Sequence, residues 1–256
     1  MVEYSFLCNS CQLVIFLFFP IMRRFLVNVA TKLGLYGFIV KIANKIIDAR
    51  EARAISKRGV DVLVKVDKLM RARNAKAFFN YGLLLGAYRE KNFIPYDHDI
   101  DFGMLASERP DDMVEYLKQN GFKFIRQMYI KENGYITIDQ FKYDGVHVDF
   151  YYLYDYNEDR LVCYAPRRHE YKDWRTANET DGFPTFLFTS KKCGFSEKEF
   201  LGHKFYMPDE TESWLQDFYG EDFMTPIKDW SPKSETVRKT GIIPYTHCRQ
   251  YRRVDL

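Results

Sequence analysis

Apolar and polar positions alternate with a period of two in two stretches of the chain, and recur at helical spacing in several others. In residues 99–102 (DIDF), Asp99 and Asp101 fall on one side of an extended chain while Ile100 and Phe102 fall on the other, which is the pattern of a strand with one buried face. A longer alternating stretch, YITIDQFKYDGVHVDFYYLYD, is divided by Asp144-Gly145, a dipeptide suited to a tight hairpin. On its second arm Val146, Val148 and Phe150 share one face, with His147, Asp149 and Tyr151 on the other. The spacing predicts a helix over Gly59–Asn74 leading into a strand Lys76–Asn80, a second helix over Pro110–Asn120 started by Pro110, and a third after Pro208 with Gly220 as its C-cap. Nearer the N-terminus, Phe25, Leu26, Val29, Leu33, Tyr36, Ile39, Val40 and Ile46 recur at helical spacing among Lys32, Lys41, Lys45, Arg50 and Arg53, which predicts a basic amphipathic helix.

The candidate chemistry is concentrated in YGLLLGAYREKNFIPYDHDIDFG, residues 81–103. The stretch reads as a glycine-bracketed turn, a short helix, a loop and then an acidic strand on which Asp97, Asp99 and Asp101 are spaced two apart. Paired carboxylates on one face suit Mg²⁺ or Mn²⁺, since hard cations take oxygen ligands and commonly bind through one or two carboxylates plus substrate phosphates. A plain surface turn is the competing reading of Pro95, Tyr96 and Asp97, because Asp side chains there accept backbone hydrogen bonds. A solvated turn gives no reason for Gly82 and Gly86 to flank Leu83, Leu84 and Leu85, nor for Ile100 and Phe102 to alternate with the acids. Asp149, set between Val148 and Phe150, is poorly placed for solvent; its competing reading is a charge on an edge strand. His147 reads as structural or substrate-adjacent, since no second His or Cys stands at ligand spacing.

The string resembles the signature of the LicD/fukutin family of nucleotidyltransferase-fold phosphotransferases, matching at Gly82, Leu84, Leu85, Gly86, Arg89, Phe93, Ile94, Pro95, Asp97, Asp99, Ile100 and Asp101. It departs at Leu83, where the family tends to carry a small hydroxyl residue, at Tyr96 in place of Trp, and at His98, where many members have a further Asp. A closing element is matched by Pro208, Leu215, Tyr219, Gly220 and Pro226, so the likeness runs from about residue 60 to 230. The resemblance implies an α/β (α+β) fold, a small mixed sheet flanked by helices. It also implies a metal site made by Asp99, Asp101 and Asp149, with Asp149 taking the proton of an attacking hydroxyl. Donor contacts from Gly82, Leu84, Gly86, Arg89, Asp97 and His98 follow from the same likeness.

Composition adjusts this picture in few places. The 256 residues include 22 Phe and 19 Tyr, enough for an aromatic interior or a carbohydrate-facing surface. Residues 22–58 carry nine Lys or Arg against two acids, and the rest of the chain 29 against 33, so the basic character is N-terminal and no nucleic-acid footprint covers the acidic segment. We therefore divide the chain into a helical segment 1–58, suited to an anionic membrane surface or to packing on its own domain, and a catalytic domain 59–256. Residues 13–22 are apolar but interrupted by Pro20, too short to cross a bilayer core of roughly 30 Å, and they lack a basic lead and a cleavage site. Met22, followed by Arg23 and Arg24, offers an alternative start. Cys8 and Cys11 have no second pair; Cys163, Cys193 and Cys248 are scattered, and Cys163 with His169 and Cys193 matches no compact zinc pattern. Arg167, Arg168, Lys172 and Arg175, interleaved with Tyr164, Tyr171 and Trp174, suit either a diphosphate grip or a solvated basic face.

The resulting expectation is a cytoplasmic enzyme, peripheral at the inner membrane face, that moves a phospho-alcohol from a CDP-linked donor to a glycan hydroxyl with release of CMP. Phosphocholine and ribitol phosphate are the cargoes the resemblance implies. A nucleotide-sugar glycosyltransferase using Asp-x-Asp, and a catalytically silent glycan- or membrane-binding module, are the alternatives.

Overall fold

The computed structural model describes residues 36–130, 133–166, 185–227, 243–246 and 250–253. The chain separates into two units, residues 1–49 and 50–256. In the first, the described residues form the opening of helix α1, Tyr36–Arg71, on which Ile46 and Ile47 are exposed. Among the described residues no helix is long and apolar enough to cross a membrane. Residues 13–22 lie outside them.

In the second unit α1 continues unbroken to Arg71, so the helix expected to start at Gly59 is the latter half of a longer one. An interior glycine costs only about 1 kcal/mol against alanine. The flanking turns offset that cost by burying Ala54, Ile55, Val62, Leu63, Val66 and Met70 along one face. The position between residues 58 and 59 thus lies within a helix.

Strand β1 is only Phe78–Phe79, shorter than the expected 76–80, but both rings are fully buried. It is followed by α2, Tyr81–Leu85, which runs on as a π-helical turn, Gly86–Glu90. The glycine-bracketed stretch is therefore helical rather than a turn preceding a helix. After β2, Asp99–Leu105, helix α3 occupies Met113–Gln119; Pro110 leads into it through a turn closed by Met113 N–H on the Pro110 carbonyl at 3.1 Å. Strands β3 (Lys123–Ile130), β4 (Ile136–Tyr143) and β5 (Val146–Asp155) form a meander. The β4–β5 turn has φ of 46° at Asp144 and 82° at Gly145, the two positive values a tight hairpin requires. Strands β6 (Arg160–Pro166), β7 (Thr185–Lys191), β8 (Phe195–Phe200) and β9 (His203–Pro208) precede α4, Thr211–Tyr219, which Gly220 closes at φ 94°. Strands β10 (Ile243–Thr246) and β11 (Gln250–Arg253) end the described chain.

The strands form one mixed sheet in the order β10-β7-β6-β5-β2-β1-β9-β8. Its centre is the parallel pair β2–β5; β1 joins β2 antiparallel and β9 joins β1 parallel. The far edge of β5 is shared, with β4 along 146–151 and β6 along 153–155, so the sheet forks and β4 leads outward to β3 and β11. This is the expected mixed sheet flanked by helices. Much of the aromatic content goes to the core: Phe78, Phe79, Phe102, Phe141, Phe150 and Phe205 are almost wholly buried.

One buried polar cluster was not expected. Asp139 lies in phase with Thr137 and Phe141 on the core-facing side of β4 and is fully buried. Its Oδ2 accepts from Arg109 at 2.8 Å and from Tyr152 Oη at 2.7 Å, and its Oδ1 from Gln127 at 2.7 Å. Three donor side chains make the buried charge tolerable, since a carboxylate in low dielectric persists only when its lone pairs are satisfied.

Candidate active site

The parallel register of β2 and β5 sets Asp99 opposite His147, Asp101 opposite Asp149 and Gly103 opposite Tyr151. Odd-numbered residues of both strands share a face, so two acids from one strand and one from the other converge. Carboxylate oxygens of Asp99, Asp101 and Asp149 lie within 4.8 Å of one another. Asp149 is 2% exposed and Asp101 8%, whereas Asp99 is half-buried.

Burial, followed by the charges of Asp99, Asp149 and Asp97, drives the Asp101 carboxyl well above the ordinary carboxylate range, against a backbone N–H of Gly82 that favours the anion. The Asp97 carboxyl is pushed up to about 7, first by burial and then by Asp99. Three tyrosines border the cluster as neutral phenols: Tyr81, Tyr151 and Tyr219 are held protonated by burial first, with Asp101 adding to the effect in each.

Helix α2 brings the remaining pieces in. Asn80 N–H donates to the Asp101 carbonyl at 3.1 Å, and Asn80 Oδ1 accepts from Trp214 Nε1 of α4 at 3.1 Å, which ties the start of α2 to both β2 and α4. The chain then turns through Tyr81 at φ 40°, an uncommon value for a bulky residue. The cost is offset by its ring packing on Tyr151 at 4.8 Å and Phe218 at 4.3 Å. Gly82 follows, and a Cβ there would stand 2.4 Å from Asp97 Oδ2, so only glycine lets Asp97 sit against the helix.

The other sequence-derived positions divide. At Gly86 a Cβ would lie 2.7 Å from the Asn92 carbonyl, so this glycine closes the loop that leads back to β2. Leu84 is fully buried and Leu83 is 3% exposed; the Leu84 side chain packs α2 into the core and presents no surface to a substrate, contrary to the contact role carried over for it. Arg89 donates through Nε to Glu90 at 2.8 Å and through Nη1 to the Phe223 carbonyl at 3.1 Å, joining the π-helical turn to the segment after α4. His98 is exposed, and its backbone N–H donates to Asp97 Oδ1 at 3.1 Å. His147 shares the face of the acids, but its Nε2 stands 2.9 Å from Glu51 and 2.9 Å from Lys142 Nζ, and burial followed by Lys142 lowers its pKa, which fits the structural role.

Cys163 is buried and its thiol is pushed up to about 12, chiefly by burial. Cys8, Cys11, Cys248 and His169 lie outside the described residues, as do Arg167, Arg168, Tyr171, Lys172, Trp174 and Arg175.

Two residues that the sequence did not single out complete the site. Gln140 pairs with Asp149 across β4–β5, and its Nε2 donates to Asp149 Oδ2; Arg126 pairs with Gln140 across β3–β4, and its Nε donates to Gln140 Oε1. The available signal was phase, since Gln140 must face the same side as an acid opposite it once β4 and β5 form a hairpin.

The donor set fits a hard divalent cation. It consists of carboxylate oxygens alone, and the buried Oδ1 of Asp101 has no hydrogen-bond partner among the described residues.

Residues 74–210 match the family model described as LicD/FKTN/FKRP, nucleotidyltransferase domain. Over 196 residues the chain is 23% identical to the ribitol-5-phosphate transferase FKTN of Homo sapiens, covering 76% of this chain and 40% of that protein. The Mus musculus counterpart is 24% identical with the same coverage. An uncharacterized protein of Caenorhabditis elegans is 24% identical over 196 residues, 73% of this chain and 48% of its own length. The chain thus spans about two fifths of the length of the FKTN proteins it matches.

Proposed function

The chain belongs to the LicD/FKTN/FKRP family, and from that premise we propose that it transfers a phospho-alcohol, ribitol phosphate or phosphocholine in kind, from a CDP-linked donor to a glycan hydroxyl. The observation that carries the reading is the convergence of Asp99, Asp101 and Asp149 within 4.8 Å, inside the matched segment.

In the reaction a bond forms between the acceptor oxygen and the β-phosphorus of the donor, the bridging P–O bond breaks, and CMP leaves with the electron pair. Asp99, Asp101 and Asp149 would hold Mg²⁺ or Mn²⁺, which when bound neutralises the diphosphate and the charge gathering on the leaving CMP. Asp149 takes the acceptor hydroxyl's proton, its carboxylate lying beside those of Asp99 and Asp101. Gly82 sets the approach of α2 and keeps Asp97 against the cluster. Arg89, anchored at Glu90 and the Phe223 carbonyl, is assigned to the donor phosphates.

The direct test incubates the purified protein with Mn²⁺, a glycan acceptor and a panel of CDP-alcohols, following CMP release and acceptor mass. A mass gain of one phospho-alcohol supports the proposal. Consumption of a UDP-sugar instead would assign the site to glycosyl transfer, and no turnover with any donor would leave a binding module.

An anionic membrane surface at the cytoplasmic face belongs to the same proposal. The excess of base in residues 22–58 and the exposed Ile46 and Ile47 on α1 support it. Pelleting with anionic vesicles at low ionic strength, and release near 1 M salt, is the expected behaviour.

A further inference from the structure

Four strands place one residue each in a single row: Arg126 on β3, Gln140 on β4, Asp149 on β5 and Asp101 on β2 are successive cross-strand partners. From this row we propose that Gln140 is a positioning residue for the metal-binding carboxylates, and that Arg126 sets the direction in which it acts. The proposal rests on the metal reading above.

The argument turns on which end of an amide faces which neighbour. A guanidinium has only donors, so Arg126 Nε must meet an acceptor, and the atom it meets is Gln140 Oε1. The amide can then offer only its NH₂ group to the other side, where Nε2 donates to Asp149 Oδ2. Without Arg126 the amide would be free to rotate by half a turn and present its oxygen to a carboxylate, a repulsive contact. The chain of donors therefore fixes the rotation of the Asp149 carboxylate, whose oxygens converge with those of Asp101 and Asp99. Outer hydrogen bonds of this kind are worth about 10–100-fold in metal affinity where they have been removed from metal sites.

The test measures Mn²⁺ binding by the full chain, from the electron paramagnetic resonance signal of free Mn²⁺, independently of turnover. Gln140→Leu is expected to weaken binding by about 10–100-fold. Arg126→Leu is expected to weaken it too, while Arg126→Lys, which keeps a donor for Oε1, restores affinity to within about threefold of the unaltered chain. The double variant Arg126→Leu/Gln140→Leu should bind no more weakly than Gln140→Leu alone, since Arg126 acts only through the amide. Unchanged affinity in Gln140→Leu, or losses that add in the double variant, overturns the proposal while leaving the metal reading in place. If Gln140→Leu loses its cooperative melt, the comparison of Arg126→Leu with Arg126→Lys decides: equal affinities overturn the proposal. An unaltered chain with no Mn²⁺ affinity overturns the metal reading and this proposal together.

Discussion

Asp101 and Asp149 stand directly opposite each other across the parallel β2–β5 pair, both nearly buried. Like charges in facing cross-strand positions destabilise a sheet, and here the sheet centre holds two of them with Asp99 beside. Such a placement opposes folding, and the cation proposed above would offset it on binding the folded chain.

Asp101→Asn should therefore separate activity from stability. Turnover is expected to fall by at least about 10²-fold, because the charge that holds the metal is lost. The metal-free variant should melt about 2–4 °C higher than the unaltered chain, the shift expected for about 1 kcal/mol in a domain of this size. Calorimetry in chelator, beside a CMP-release assay, checks both. A variant that keeps its turnover would remove Asp101 from the metal site.

The acid cluster also sets a direction for pH dependence. The Asp97 carboxyl is at about 7 in the folded chain against an ordinary value of 3.8. Between those limits the folded state keeps a proton that the unfolded state has released, so stability falls as pH rises through this window. The penalty is complete above pH 7 and absent below about pH 4. Metal-free protein is expected to melt higher at pH 5.5 than at pH 8, with Asp97→Asn showing a shallower slope. Asp101, displaced in the same direction, keeps the slope from vanishing. A full slope in Asp97→Asn would show that this carboxyl is ionised throughout.

Gly82→Ala tests whether the glycine serves Asp97 or the helix. The backbone at Gly82 is helical, so alanine suits it, but its Cβ would stand 2.4 Å from Asp97 Oδ2. The carboxylate, at the end of a rotatable side chain, must move out of the site. We expect a fall in kcat/KM of at least about tenfold, with a melting temperature within a few degrees of the unaltered chain. In an Asp97→Ala background the same change should cost little, because nothing remains for the methyl to displace.

Arg109→Met should act on stability alone. It leaves the fully buried Asp139 with Gln127 and Tyr152 but without its countercharge, a loss expected at about 3–5 kcal/mol. Tyr152→Phe removes one hydrogen bond and should cost about 1–2 kcal/mol. Urea denaturation with unchanged slope measures both; equal losses would show that the guanidinium charge is not what Asp139 needs.

The period of two in 99–102 and 146–155 determined by itself which residues share a face, because side-chain direction along a strand is a local property. The Asp144-Gly145 hairpin and the Gly220 cap were legible for the same reason: each is a demand of φ at one or two residues. Asp99 and Asp101 were legible as a pair from the same period, whereas Asp149 as the third acid came from the family resemblance. Tertiary structure decided what depends on strands meeting. That Asp101 faces Asp149, and that Gln140 and Arg126 extend the row, follows from register between strands distant in sequence, which no local pattern encodes. The same holds for Asp139, whose charge in an apolar phase became intelligible only when Arg109 arrived from the loop before α3. Gly59 misled because a glycine weakens a helix locally, while burial of α1 against the sheet, a sum over many distant contacts, outweighs it.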